Sequence, residues 1–136
     1  MKKIVIDTNL YVSALINSNS RKRLDVITEN YSFEILLDIS LLKELHEVCS
    51  RPKFSRYVST EQTQLFLEII NERSTLIETT SVFKFSPDPK DDFLLALCHD
   101  GKADYLLTGN KIDLLDLKQF GKTSILSLTD FLNLNL

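Results

Sequence analysis

The sequence predicts an α/β protein in which a mainly parallel sheet is flanked by helices on both faces. Short apolar segments of strand length alternate with longer segments whose apolar residues recur at helical spacing. The chain has only three Gly and three Pro, so we expect long regular elements. Its 136 residues are 43% hydrophobic and 26% charged, which fits one globular domain spanning residues 1–136.

The first 37 residues predict a strand, two helices and a second strand. Residues 3–6 form a short, mostly apolar segment, and residues 33–37 form another that is typical of a buried strand. Between them, residues 8–16 place apolar side chains on one side of a helix, and residues 20–30 predict a second helix.

The middle of the chain predicts two further helices and a third strand. Ser40 is placed to cap a helix that runs to about Cys49, and the proline-containing segment 51–54 interrupts it. The pattern from Ser59 to Gln62 has the form of a capping box and begins the next helix. Residues 75–78 then predict a strand.

The last third predicts a central helix, two strands and a closing helix. Residues 86–90 contain two prolines and predict a loop. Residues 91–100 are almost wholly apolar in their interior, which indicates a buried helix that ends at Gly101. Two strands, at 104–108 and 124–126, and a helix at 129–134 complete the predicted order.

Acidic and amide side chains follow the ends of several predicted strands. Because the carboxyl ends of parallel strands meet at one edge of a sheet, these side chains can converge on one site. Converging carboxylates repel unless a cation compensates, and Mg²⁺ or Mn²⁺ suits a cluster of oxygen ligands. Such an ion can activate a water against a phosphodiester. The candidates are Asp7, Glu44, Asp91 or Asp92, and Asn110 or Asp113.

The composition argues against several other chemistries. With two His and no Gly-rich loop, the chain lacks the usual residues for zinc hydrolysis, P-loop phosphate binding and dinucleotide binding. Cys49 and Cys98 lie in apolar segments outside any metal-ligand spacing, so we expect buried free thiols. His46 and His99 have no predicted catalytic role.

The net charge and the apolar runs limit the partners. Lys and Arg number 16 against 19 Asp and Glu, a net charge of −3, so a polyanion must be bound through a local basic patch or metal ions. No apolar run is long enough to cross a membrane, and the first residues do not form a signal peptide. We therefore expect a cytoplasmic protein that does not bind membranes.

Several segments, in this order, resemble motifs of the PIN-domain family, and specifically the VapC-like toxin components of bacterial toxin–antitoxin pairs. The similarity runs from about residue 3 to residue 133. The segments are Ile4-Val5-Ile6-Asp7-Thr8-Asn9 with Ser13, Glu44 to Phe54, Asp88-Pro89-Lys90-Asp91-Asp92, Ala103 to Lys111, and Ser127 to Leu132.

The resemblance implies a three-layer, Rossmann-like PIN fold with about five parallel strands. It implies a divalent-metal-dependent endoribonuclease that hydrolyses RNA phosphodiester bonds through metal-activated water, with Mg²⁺ or Mn²⁺ as cofactor. It also implies a cytoplasmic toxin that is neutralised by a cognate antitoxin protein, often as a homodimer.

Site residues carry over from the motifs one by one. Asp7 corresponds to the central metal ligand, Glu44 to the second acid and Asp91 to the third, with Asp92 as the alternative third acid. The side chains expected to support these acids by hydrogen bonds or position are Thr8, Asn9, Ser13, Thr108 and Asn110.

The fourth acidic position departs from the family pattern. Where the motif usually has Asp, this chain has Asn110, which keeps a carbonyl oxygen but has no charge. Asp113, three residues later, is the alternative metal ligand. The loss of charge leaves a second hypothesis open, namely a catalytically weak or inactive PIN-like module that binds RNA or protein.

The same residues also have less specific interpretations. Asp7 can simply cap the next helix, and Asp91 or Asp92 can be a first-turn acid favoured by the helix dipole. A phosphatase-type hydrolase also begins with an Asp after a strand, but it typically has a second Asp two residues later, where this chain has Asn9.

Three basic residues are candidates for RNA phosphate contacts. Arg51 and Lys53 lie in the second motif, and Lys111 follows Asn110 in the fourth. A solvated, charged surface is the alternative interpretation for each of them.

Overall fold

The computed structural model describes residues 1–109 and 111–134. In this part of the chain, six strands form one sheet. The strands are β1 (Lys2–Ile6), β2 (Phe33–Leu37), β3 (Thr75–Leu76), β4 (Tyr105–Thr108), β5 (Gln119–Phe120) and β6 (Thr123–Ser127). Their order across the sheet is β3-β2-β1-β4-β6-β5.

Seven α-helices connect and flank the strands in the described residues. Two short 3-10 turns, Pro52–Phe54 and Pro89–Asp91, precede helices in the chain. The helices are α1 (Thr8–Ile16), α2 (Ser18–Thr28), α3 (Ile39–Cys49), α4 (Thr60–Arg73), α5 (Asp92–Gly101), α6 (Ile112–Leu117) and α7 (Leu128–Leu132).

The sheet is parallel except at one edge. β1 lies in the centre and pairs with β2 and β4, with Ile4 opposite both Ile35 and Tyr105. β2 pairs with β3 and β4 with β6, also in parallel, whereas β5 runs antiparallel to β6. The predicted α/β class with a mainly parallel sheet is therefore confirmed, and the ends of β1, β2 and β4 lie along one edge.

The core forms where the central strand meets the apolar central helix. Ile4, Val5 and Ile6 of β1 are fully buried, as are Leu94 and Leu95 of α5. α5 packs against β1 and β2, which explains why its interior is almost continuously apolar. At its end, a Cβ on Gly101 would lie 2.7 Å from Leu36 Cδ1, so glycine permits this close approach.

Four helix starts differ from the prediction, including that of α7, which begins at Leu128 rather than at residue 129. α3 begins at Ile39 because Asp38, not Ser40, caps it: Asp38 Oδ1 accepts a hydrogen bond from the Leu41 amide at 2.8 Å. α2 begins at Ser18, with Asn17 as its cap. The proline-rich loop ends in the 3-10 turn, so α5 begins at Asp92.

Two short elements have no counterpart in the prediction. α6 has six residues and β5 has two, so neither is long enough to show a clear hydrophobic period. β5 and β6 are joined through Gly121, whose φ of 58° is the left-handed conformation that glycine adopts without strain. None of the described helices combines the length and apolar character that crossing a membrane requires.

Asp38 holds the start of the helix that carries Glu44, so its replacement tests this part of the fold. Asp38→Ala leaves the Leu41 amide without its acceptor and should lower the free energy of unfolding by about 1–2 kcal/mol. Asp38→Asn keeps an acceptor oxygen and should cost less. Urea unfolding followed by circular dichroism measures both, and an alanine variant as stable as the wild type would contradict this role.

Candidate active site

Asp7 lies at the carboxyl end of the central strand and is completely buried. Its backbone N–H donates to the Leu107 carbonyl at 2.9 Å, which extends the β1–β4 pairing. Its Oδ2 accepts a hydrogen bond from the Thr108 hydroxyl at 2.9 Å. Its Oδ1 has no hydrogen-bond partner among the described residues, although the side chain is 0% exposed. Such an oxygen is costly unless a cation is near it.

Asp91 and Lys111 complete the buried part of the site. Asp91 ends the 3-10 turn before α5 and is 2% exposed. Lys111, just before α6, places its Nζ 2.6 Å from Asp91 Oδ1 and 3.6 Å from Asp7 Oδ1. The ammonium group therefore lies between two buried carboxylates that are far apart in the chain.

Glu44 joins the site from α3 through a threonine. Its Oε2 accepts a hydrogen bond from the Thr8 hydroxyl at 2.5 Å. Thr8 is buried at the first position of α1, directly after Asp7. The charge of Glu44 acts on both Asp7 and Lys111, so it belongs to the same electrostatic cluster.

Burial and charge shift the pKa values of two members of the cluster. Burial raises the pKa of Asp7, and the negative charges of Asp91 and Glu44 raise it further, against the opposing effects of Lys111 and Thr108. Burial alone would lower the pKa of Lys111, but the hydrogen bond to Asp91 and the nearby carboxylates outweigh it, so this pKa is raised. Lys111 is thus held as an ammonium ion.

The donor chemistry of this cluster fits a hard divalent cation. Asp7 offers a buried oxygen without a hydrogen bond, Asp91 offers a second carboxylate, and a positive group already lies between them. As the side chains stand, no three His, Cys, Asp or Glu residues in the described ranges are spaced to enclose an ion. Lys111 occupies the space between the two aspartates.

Asp92, the alternative third acid, is directed elsewhere. Its Oδ1 accepts hydrogen bonds from the backbone amides of Ser86 at 2.7 Å and Phe85 at 3.2 Å. It therefore holds the segment that leads into the 3-10 turn. Of the two neighbouring acids, only Asp91 is paired with Lys111 in the described residues.

Several predicted residues are not drawn into the cluster. Asn9 is exposed and Ser13 is half-buried, both on α1. In the described part of the chain, neither forms a hydrogen bond to the carboxylates of Asp7, Glu44 or Asp91. Asp113 is exposed on the first turn of α6 and, among described residues, has no ion pair. Its role as a ligand stays a prediction that this arrangement does not favour. Asn110 lies outside the described residues.

The basic candidates separate into two groups. Arg51 is exposed and pairs with Glu47 at 3.0 Å within one helical turn. Lys53 lies over the Phe54 ring, 5.1 Å from its centroid. Lys111, by contrast, contacts the acids themselves, a position that sequence reasoning missed. The available signal was that Lys111 lies in the segment after β4, which also contains the candidates Asn110 and Asp113.

A cavity of about 790 Å³ lies away from these acids, among α1, α2 and α4. Two of its lining arginines are already engaged: Arg21 donates to the Ala14 and Leu15 carbonyls, and Arg73 donates to three carbonyls near β2. We therefore place the candidate active site at the carboxylates of Asp7 and Asp91. Their buried negative charges need a cation nearby, whereas the two arginines of the cavity already donate to backbone carbonyls.

Comparisons with known proteins agree with this fold and motif order. The family model described as PIN domain matches residues 3–112. A protein of Methanocaldococcus jannaschii, described as uncharacterized, is 35% identical over 127 residues, covering 88% of this chain and 77% of its own. In structure, the chain is similar to the crystal structure of VapBC2 from Rickettsia felis bound to a promoter DNA fragment.

That structural match has a TM-score of 0.58 at 17% identity and covers 92% of this chain and 98% of the other. An identity this low supports the fold alone. The family match spans most of the chain and includes Asp7, Glu44, Asp91 and Lys111. On these grounds, the chain is a member of the PIN domain family.

Proposed function

We propose that this chain is a divalent-metal-dependent endoribonuclease, formed by a single nuclease domain, that hydrolyses RNA phosphodiester bonds. The observation that carries the proposal is that the buried carboxylates of Asp7 and Asp91 face the ammonium group of Lys111, with Glu44 linked to this cluster through Thr8. Asp7 Oδ1, which has no hydrogen-bond partner in the described residues, gives that position a ready ligand. Asp7 and Asp91 would hold the ion, with Glu44 at the edge of the site.

Mg²⁺ or Mn²⁺ bound there would supply an activated water and charge stabilisation for the phosphodiester. The protein's own residues orient the ligands. Thr108 donates a hydrogen bond to Oδ2 of Asp7 at 2.9 Å, which leaves Oδ1, 3.6 Å from Lys111 Nζ, free to bind the ion. Thr8 holds the carboxylate of Glu44 in the same way.

The two cysteines are not suited to act as nucleophiles, which is consistent with hydrolysis by water. Burial raises the pKa of the Cys49 thiol to about 11, and burial also raises the pKa of Cys98. Both side chains are buried, so neither has the exposed, low-pKa thiolate of a nucleophile. A water activated at the acidic site needs no such group.

RNA is the proposed substrate and an antitoxin the proposed partner. An acidic cluster can accept a phosphodiester once a divalent ion offsets its charge, and exposed Arg51 and Lys53 can contribute phosphate contacts. The motif resemblance to VapC-like toxins, together with the fold match to VapBC2, supports a cytoplasmic toxin with a cognate antitoxin and a homodimeric assembly.

A second candidate is a PIN-like module that binds RNA or protein without turnover. Two observations favour it: Asn110 removes one charge from the fourth motif, and Lys111 pairs with the acids that would hold the ion. This module would remain folded and bind RNA without cleaving it when Mg²⁺ or Mn²⁺ is added.

Two matched substitutions test whether an acid that follows a strand has a catalytic or only a structural role. Asp7 and Asp38 are both buried, and each follows a neighbouring parallel strand. Asp7→Asn should lower Mn²⁺-dependent RNA cleavage by about a hundredfold or more, because it removes a charged ligand. The Asp38→Asn variant should cleave at close to the wild-type rate, because the proposed role of Asp38 is only to cap α3.

Cleavage is measured on a labelled RNA under single-turnover conditions, with circular dichroism to confirm that both variants fold. Wild-type cleavage by a folded Asp7→Asn protein would contradict the proposed mechanism. RNA binding without cleavage by the wild-type protein would favour the binding module.

Asp91 and Asp92 can be told apart by metal-dependent thermal stability. In the wild type, Mn²⁺ at about 100 times its Kd should add about 2.7 kcal/mol to the free energy of unfolding by mass action. Asp91→Asn should lose most of the resulting rise in Tm. Asp92→Asn should start from a lower Tm in EDTA, because it weakens the contacts to Phe85 and Ser86, but should keep the rise. The opposite pattern would make Asp92 the third acid.

A further inference from the structure

Lys111 lies where two buried carboxylates face each other. Its Nζ is 2.6 Å from Asp91 Oδ1, a charge-assisted hydrogen bond, but 3.6 Å from Asp7 Oδ1, which is beyond hydrogen-bond distance. The ammonium group therefore satisfies Asp91 and leaves Asp7 only partly compensated. A purely structural ion pair would satisfy both carboxylates, whereas here one of them, Asp7, lacks a full partner.

We propose that Lys111 is an internal counter-cation that competes with the divalent ion for Asp7 and Asp91 and thereby sets the metal affinity of the site. The inference rests on the proposed function, because it assumes that these aspartates bind metal. In this arrangement, a residue of the chain itself opposes metal binding at the site.

Competition follows from the charges and the space. An ammonium ion and a divalent ion repel each other strongly at ion-pair distances in a poorly solvated site. Both would use Oδ1 of Asp7 and Oδ1 of Asp91. Binding of the divalent ion therefore requires the Lys111 head group to leave.

The lysine has a path by which to leave. Its side chain is 27% exposed, whereas those of Asp7 and Asp91 are 0% and 2% exposed. Lys111 directly precedes α6 and lies outside the strands of the sheet. Its four-carbon side chain is flexible. The carboxylates can stay in place while the ammonium group moves toward solvent.

Lys111 also has a function in the metal-free protein. Without a cation, the carboxylates of Asp7, Asp91 and Glu44 would repel one another at low solvent exposure. The ammonium group offsets part of that repulsion. By linkage, whatever Lys111 adds to the stability of the metal-free protein is lost when the ion displaces it.

The test compares Lys111→Met with Lys122→Met. Lys122 also faces an aspartate, with Nζ 3.7 Å from Asp104 Oδ1, but its side chain is 59% exposed and lies outside the cluster. The two substitutions change the net charge equally, so they separate a local effect from a general one. Mn²⁺ binding is measured by the loss of the free-ion signal in electron paramagnetic resonance, and Tm is measured in EDTA.

Lys111→Met should bind Mn²⁺ roughly tenfold more tightly than the wild type, within the usual range of coupling between sites. It should also have a lower Tm in EDTA and a larger rise in Tm on adding Mn²⁺. Lys122→Met should match the wild type in Mn²⁺ affinity. If Lys111→Met does not fold, Lys111→Gln keeps a polar head group and should show the same order of affinities.

The outcomes separate this inference from the proposed function. Equal or weaker Mn²⁺ binding by the Lys111 variant, when Asp7→Asn abolishes binding, would overturn the inference alone. Equal tightening in both lysine variants would also overturn it, because the effect would then be general. If neither the wild type nor the variants bind Mn²⁺, the proposed function fails together with the inference.

Discussion

The buried charge of Asp7 is the constraint on which the site depends. The carboxylate ends the central strand with no solvent exposure, and among the described residues one oxygen lacks a hydrogen bond. Burial raises its pKa, and the charges of Asp91 and Glu44 raise it further. A fold gains no stability from such a group alone. Lys111 compensates this charge only in part, and the proposed divalent ion would compensate it more fully.

The sheet topology brings the acids to this point. β1 lies between β2 and β4, so the segment after β2 and the end of β4 border the end of β1. The segment after β2 leads into α3, which carries Glu44, and the end of β4 supplies Thr108. Asp91 arrives at the start of α5, which packs on β1. Two further acids fix these approaches: Asp38 caps α3, and Asp92 anchors the loop before the 3-10 turn.

Sequence reasoning could predict the features that depend on local pattern. The apolar strands and the continuous apolar interior of α5 predicted the fold class, and its position directly after β1 made Asp7 a candidate. It predicted Ser40 as the cap of α3, where the structure has Asp38, because both residue types accept hydrogen bonds from helix amides. It could not decide between Asp91 and Asp92, whose directions depend on the 3-10 turn that ends between them. The pairing of Lys111 with Asp91 spans 20 residues and depends on the tertiary fold.

In the proposed function, a divalent ion binds between Asp7 and Asp91. Paramagnetic broadening of backbone amide signals by substoichiometric Mn²⁺ locates the ion directly, because the effect falls off steeply with distance. We expect the strongest broadening at Asp7, Thr8, Asp91 and Thr108, with little effect at exposed acids such as Glu29, which precedes β2 at the opposite edge of the sheet. Broadening centred on those exposed acids would contradict metal binding at Asp7 and Asp91. So would broadening no stronger than that in a control sample in which excess Ca²⁺ occupies the divalent-ion sites.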